Sequence, residues 1–213
     1  LTMTGTTVPS WLTFDATTGV LSGTPLNANV GDNSVVITVG DGTTTVTDSF
    51  TITVANTNDA PTITSTAVTA ATEDSAYTYT STASDVDAGD TLTAAGTTVP
   101  SWLTFTASTG VLTGTPTNAE VGSHAVVITF SDGTASVTDS FSITVANTND
   151  APTLANPISD ASVAEDAAYT LDVSAMCADV DVGDTMAYSL AGAPTSLTVT
   201  SGVITGTPLN ADV

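Results

Sequence analysis

Apolar and polar residues alternate along this chain in short, repeated runs. In "SVVITVGDGTTTVTDSFTITV", Val35, Ile37 and Val39 fall on one face, a Gly-Asp-Gly turn follows, and Phe50, Ile52 and Val54 again share a face. A period of two is that of a half-buried strand, and two such runs about a Gly-containing turn predict a β-hairpin. The pattern returns at Val126, Ile128 and Phe130, then "SDG", then Phe141, Ile143 and Val145. Thr and Ser fill the outward positions and β-branched residues abound, which suits a pleated surface. No stretch of about a dozen residues keeps helical spacing without Gly, Pro or a β-branched run, so an all-β molecule is expected.

The strands sit inside a longer period. "NTNDAP" occupies Asn56 to Pro61 and again Asn147 to Pro152, an offset of 91. The same offset joins "TTVPSWLTF" at Thr6 to Phe14 with Thr97 to Phe105, and "SGTP" at Ser22 to Pro25 with "TGTP" at Thr113 to Pro116. A third copy is marked by Glu165 and Asp166 against Glu73 and Asp74, by "DVDVGDT" against "DVDAGDT", and by "TGTP" at Thr205 to Pro208. So long a period, with short strands inside it, predicts tandem domains. The expected boundaries are residues 1–59 for the C-terminal part of one repeat, 60–150 for a complete repeat, and 151–213 for the N-terminal part of another. Each complete repeat is expected to be a Greek-key antiparallel β-sandwich of about seven short strands. The partial first and third copies are expected to be cut from a longer chain; the competing expectation is that they complement a neighbour's ends.

Charge narrows the chemistry. The chain has 22 acidic residues, no Lys or Arg, and a net charge of −22, so no carboxylate finds a basic side chain. Nucleic acid and anionic membrane surfaces need cationic contacts and are disfavoured as partners. No apolar run is long enough to span a bilayer, and no membrane insertion of this segment is expected. The acids also cluster: in the middle copy Glu73, Asp85, Asp87, Glu120, Asp132 and Asp150 map to expected domain ends, leaving Asp74, Asp90 and Asp139 elsewhere. Two carboxylates about 4 Å apart repel by roughly 1 kcal/mol in water and about 4 kcal/mol at an effective dielectric near 20. Without basic residues, such a cluster calls for a metal or protons, and Ca²⁺ accepts six to eight oxygens from carboxylates, amides and carbonyls. No Cys/His cluster exists for zinc or copper.

The order "FDATTGVLSGTPLNAN", "VVITVGDG", "SFTITVANTNDAP" resembles the cadherin-like repeats of bacterial surface proteins, the dystroglycan-type cadherin-like and Ig-like class, over nearly the whole chain. The resemblance implies Ca²⁺ between successive domains, held by the base of one, the linker, and the top of the next. For the second junction it implies Glu73 as the base glutamate, Asn118 and Glu120 at the place of the acidic "DRE" motif, Asn147, Asn149 and Asp150 as linker ligands, and Asp179 and Asp181 as the "DxD" pair. For the first it implies Asn27 and Asn29, then Asn56, Asn58 and Asp59, then Asp85 and Asp87, with Asp132 from the "SDG" loop. "NAN" and "NAE" are less acidic than the family motif, and the first junction's base glutamate falls before Leu1, which implies fewer or weaker ions.

Other residues point to packing. Trp11 and Trp102 lie among Leu and Phe, and Ser196 stands at that place in the third copy, so packing is preferred to a sugar-stacking role. Tyr77 and Tyr79, two apart, share an inward face. His124 is expected in an exposed loop without a catalytic or metal partner, and Cys177 as a buried free thiol. Near absence of cysteine fits a secreted protein stiffened by metal, and no catalytic constellation is present. The expected function is non-enzymatic: calcium-rigidified extracellular stalk repeats of a cell-surface adhesin or filament. Its partners would be neighbouring repeats and a surface glycan or a homotypic protein. The alternatives are a calcium-dependent carbohydrate-binding module and fibre assembly through the half-domains.

Overall fold

The computed structural model describes residues 1–212. In chain order its strands are β1 (Thr2–Thr7), β2 (Leu12–Asp15), β3 (Val20–Gly23), β4 (Gly31–Gly40) and β5 (Thr45–Val54). The middle repeat contributes β6 (Thr62–Ile63), β7 (Ala70–Thr72), β8 (Tyr77–Thr80), β9 (Ala83–Ser84), β10 (Thr93–Thr98), β11 (Leu103–Thr106), β12 (Val111–Gly114), β13 (Gly122–Ser131) and β14 (Ser136–Ala146). The third contributes β15 (Thr153–Leu154), β16 (Tyr169–Asp172), β17 (Cys177–Ala178), β18 (Leu197–Thr200) and β19 (Val203–Gly206). Helix is confined to three-residue 3-10 turns at Asn27–Asn29, Asn118–Glu120 and Asn210–Asp212. The molecule is all-β, as the period-two patterning predicts.

The described residues fall into two units. One comprises Leu1–Thr69, Thr78–Thr113 and Ala125–Ser142, the other Ala70–Tyr77, Gly114–His124 and the chain from Ile143 on.

In the first unit β4 and β5 form the expected hairpin, antiparallel from Gly31↔Val54 to Gly40↔Thr45. Strand β1 lies on the other edge of β4, with a bulge between Gly5 and Thr7. Val35 is fully buried, while Phe50 is 40% exposed. Its middle-repeat counterpart, Phe141, instead meets the edge of the Tyr79 ring at 5.2 Å between centroids. Tyr79 also donates to Asp139 Oδ2 at 2.6 Å, Ser81 Oγ donates to the same oxygen at 2.7 Å, and Ser65 Oγ lies 2.8 Å from the Tyr79 hydroxyl. Burial, and the neighbouring carboxylate of Asp139, push the Tyr79 hydroxyl above its ordinary pKa. Both Tyr77 and Tyr79 are buried, as their spacing predicts.

Two features of the middle repeat depart from the sequence expectation. It has nine strands where about seven were expected, and one pairing is parallel, Thr144–Ala146 of β14 beside Ala70–Thr72 of β7. Sheet order is β10-β13-β14-β7, with β11-β12-β8 as a second sheet and β6-β9 as a short third. The opening segment therefore switches sheets between Ile63 and Ala70. Two- and three-residue strands carry too little alternation to announce themselves in sequence.

In the second unit, β16-β19-β18 form one sheet and β15-β17 another. A cavity of about 350 Å³ is walled by Val173, Met176, Cys177, Met186, Leu190 and Ile204. Cys177 is a free thiol, half-buried where full burial was expected.

Candidate metal centres at the two linkers

Among the described residues, acidic clusters occur at the linker in each unit. In the first unit, the 3-10 turn Asn27–Asn29 is closed by Asn29, whose N–H donates to Leu26 O and whose Oδ1 accepts from Leu26 N, both at 2.8 Å. Closure leaves Asn27 facing the linker. Its Nδ2 donates to Asp59 Oδ2 at 2.9 Å and to Asp87 Oδ1 at 3.0 Å. The Asp59 N–H donates to Asp87 Oδ2 at 2.7 Å, and the Asp87 N–H to Asp85 Oδ1 at 2.9 Å. On the far side, Asn58 Nδ2 donates to Asp132 Oδ2 at 3.1 Å, while Asp132 Oδ1 accepts the N–H groups of Thr134 and Ala135 at 2.6 Å each. Those backbone donors, Ala135 first, hold the Asp132 carboxyl below its usual pKa.

Asp85, Asp87 and Asp90 each bring a carboxylate oxygen within 4.8 Å of the others. Asp87 is only 5% exposed, and Asp85 Oδ2 is buried with no hydrogen-bond donor among the described residues. Desolvation, then the charges of Asp87, Asp85 and Asp132, push the Asp90 carboxyl above its ordinary value. A buried acceptor without a donor, among repelling carboxylates, is an arrangement that a hard cation satisfies.

The second unit repeats this geometry. Asn118 Nδ2 donates to Asp181 Oδ1 at 2.8 Å, the Asp150 N–H to Asp181 Oδ2 at 2.7 Å, and the Asp181 N–H to Asp179 Oδ1 at 3.0 Å. Asp181 is 6% exposed, and Asp179, Asp181 and Asp184 form the matching carboxylate triplet. A further triplet joins Glu73, Asp74 and Asp150. Glu73 is 2% exposed and its Oε2 accepts the Thr148 N–H at 3.1 Å, which ties the base glutamate to the linker.

Not every residue singled out in sequence faces these clusters. Asn29 and Glu120 close their turns: Glu120 Oε2 accepts Thr117 Oγ1 at 2.7 Å and Thr117 N at 2.9 Å, which lowers its pKa. Asn56 and Asn147 are exposed along the linkers, and Asn149, like Asn58, donates to the next carbonyl, Asp150 O at 2.7 Å and Asp59 O at 2.8 Å.

Three acids escaped the sequence reading. Asp90 and Asp184 rejoin their clusters because Gly89 and Gly183, at φ +104° and +105°, turn the chain back, a conformation open to glycine. The signal was the shared "DVDxGD". Asp74, at φ +57°, belongs to an "ED" doublet repeated at Glu165 and Asp166, where Asp166 has φ +58°.

His124 corrects its expectation. It is half-buried at the start of β13, and its Nε2 donates to Glu120 O at 2.6 Å. The strand begins at Gly122, ahead of the apolar alternation that starts at Val126. Trp11 and Trp102 are half-buried, and Trp11 Nε1 donates to Asn33 Oδ1 at 3.0 Å.

Comparison with known proteins adds a family. The model described as "Putative Ig domain" matches residues 1–55, 60–146 and 151–213. A "Serine-rich adhesin for platelets" of Staphylococcus aureus is 31% identical over 139 residues, 65% of this chain. The chain spans 6% of the length of that relative. Among solved structures, the extracellular cadherin domains 1–4 of protocadherin gamma B7 share the fold at TM-score 0.54 and 19% identity, over 92% of this chain and 55% of that one. An endo-fucoidan hydrolase of glycoside hydrolase family 107 is 28% identical over 99% of this chain and 35% of its own, at TM-score 0.39.

Proposed function

The chain belongs to the "Putative Ig domain" family, and from that premise we propose that it is a run of calcium-stiffened, non-enzymatic spacer repeats in an extracellular, cell-surface adhesin. The observation that carries this reading is the recurrence, at two linkers 91 residues apart, of one donor arrangement: Asn27, Asp59 and Asp87 at the first, Asn118, Asp150 and Asp181 at the second. The named adhesin relative supports a surface location and an adhesin-type repeat.

At the first linker the residues that would hold calcium are Asn27, Asn58, Asp59, Asp85, Asp87, Asp90 and Asp132. At the second they are Glu73, Asp74, Asn118, Asp150, Asp179, Asp181 and Asp184. Bound calcium supplies concentrated positive charge that cancels carboxylate repulsion and ties together oxygens from separate segments. Asn27 and Asn118 can serve either state, since an amide donates through Nδ2 to bare carboxylates and offers Oδ1 to a cation. Segments 1–59, 60–150 and 151–213 are then the successive modules, and neighbouring repeats are the first partners. Trp11 is half-buried and held by Asn33 through its indole N–H, which supports a packing role.

Small-angle scattering of the 213-residue chain, in chelator and then in millimolar Ca²⁺ with Mg²⁺ as control, tests the reading. The proposal expects a calcium-specific change in maximum dimension and a rise in Tm. Scattering and melting curves that calcium leaves unmoved would overturn it.

A further inference from the structure

Behind each 3-10 turn lies a side chain outside the set that would hold calcium, and the three repeats place it differently. In the first, Asn33 Nδ2 donates to Asn29 O at 2.8 Å and Gly31 O at 3.0 Å, while its Oδ1 accepts the Trp11 indole N–H at 3.0 Å. In the second, His124 stands at the position of Asn33 and donates from Nε2 to Glu120 O at 2.6 Å. In the third, Ser196 occupies the place of Trp11 and donates to Asp212 Oδ2 at 2.7 Å, an oxygen that also accepts the Leu209 N–H at 2.8 Å.

In the first two repeats a residue of β4 or β13 thus bonds the carbonyl of the turn's last residue, and in the third Ser196, just before β18, bonds that residue's side chain. A requirement for bulk alone would be met by apolar residues; what recurs is a hydrogen bond to the turn's last residue. The turn needs it because three residues of 3-10 helix are held by few backbone bonds, Asn29 N to Leu26 O and Val30 N to Asn27 O in the first repeat. Beyond it the chain leaves through Gly31 at φ +102°, or Gly122 at φ +124°, positions with open space around them.

We infer that Asn33 with Trp11 in the first repeat, and His124 in the second, are positioning residues that fix the turn so that Asn27 and Asn118 meet the buried carboxylates Asp87 and Asp181. This rests on the calcium reading of the linkers. It assigns to the clamp a share of calcium affinity, because a ligand held in place before binding loses less freedom on binding. It also accounts for Trp11, Asn33 and His124, to which the ligand set gives no part.

The test is calcium titration by calorimetry of the whole 213-residue chain, in which the second linker serves as an internal control for the first. Asn33→Ala is expected to weaken one class of sites by about 10- to 100-fold, the range typical of partners that orient metal ligands, and to leave the other class unchanged. Asn33→His, borrowing the second repeat's solution, is expected to restore most of the loss. The melting curve in chelator separates positioning from folding: Asn33→Ala loses some stability there with its three hydrogen bonds, and should fall clearly further behind the wild type in calcium. Unchanged affinity in a folded Asn33→Ala overturns the inference. So does a loss that Asn33→His leaves uncorrected, or one matched by an equal loss of stability in chelator. A wild type that takes up no calcium would instead overturn the linker reading, and this inference with it.

Discussion

Asp87 and Asp181 are the buried carboxylates on which the two centres converge, each accepting an Asn amide and a linker N–H. Asp181→Asn is expected to remove the calcium-dependent stabilisation of the second centre only. A site saturated at about 100 times its Kd contributes about 2.7 kcal/mol, so calorimetry should show the Tm gap between calcium and chelator shrink without closing. Single-residue titration gives two opposite signs. Asp41, held down at about 2 by the N–H groups of Thr44 and Thr43, adds stability that is fully present above 3.8 and lost as pH falls through about 2. Asp90, raised by desolvation and its acidic neighbours, adds stability that is present below 3.8 and lost as pH rises through its folded value. In side-chain NMR of the chelated protein Asp90 should titrate above 3.8, and calcium should move it down. A titration that calcium leaves in place would remove Asp90 from the ligand set.

At the scale of elements, the middle repeat depends on close approaches that tolerate no extra atom. Gly110 precedes β12 at φ +70°, and a Cβ there would lie 2.2 Å from Ser81 O, the residue whose N–H donates to Gly110 O. Gly110→Ala is expected to cost at least the 1–3 kcal/mol typical of overpacking, by urea unfolding. Tyr79→Phe keeps the ring contact with Phe141 and removes one donor from Asp139, at an expected cost of about 1–3 kcal/mol. A loss near zero would mean that water replaces the hydroxyl. The hairpins were legible in sequence because ten-residue strands carry several alternations. The sheet switch between β6 and β7 was not, because its strands are two and three residues long.

For the whole molecule the dominant quantity is a net charge of −22 with no basic side chain to offset it. Self-repulsion of that size weakens the folded state in dilute buffer and is screened within about 10 Å at 0.1 M salt. In chelator, Tm should therefore climb as sodium chloride is raised, and calcium should raise it further at concentrations too low to screen charge appreciably. Equal effects of calcium and magnesium at equal ionic strength would reduce the linkers to a diffuse counterion atmosphere.

The sequence by itself determined the all-β class, the 91-residue recurrence and the concentration of acids at predicted domain ends, because alternation, repetition and charge are properties of residue order. It also marked Asn27, Asp59, Asp87, Asn118, Asp150 and Asp181, through motifs present in two copies. Only the tertiary structure decided which oxygens meet. Asn29 and Glu120 turn their side-chain oxygens inward to close their own turns, while Asp90, Asp184 and Asp74 are brought in by left-handed backbone at Gly89, Gly183 and Asp74 itself. Likewise only the fold could take His124 out of an expected loop and set it behind Glu120. Hydrogen-bond partners are chosen by distances of a few ångströms between segments tens of residues apart, and linear order does not encode those distances locally.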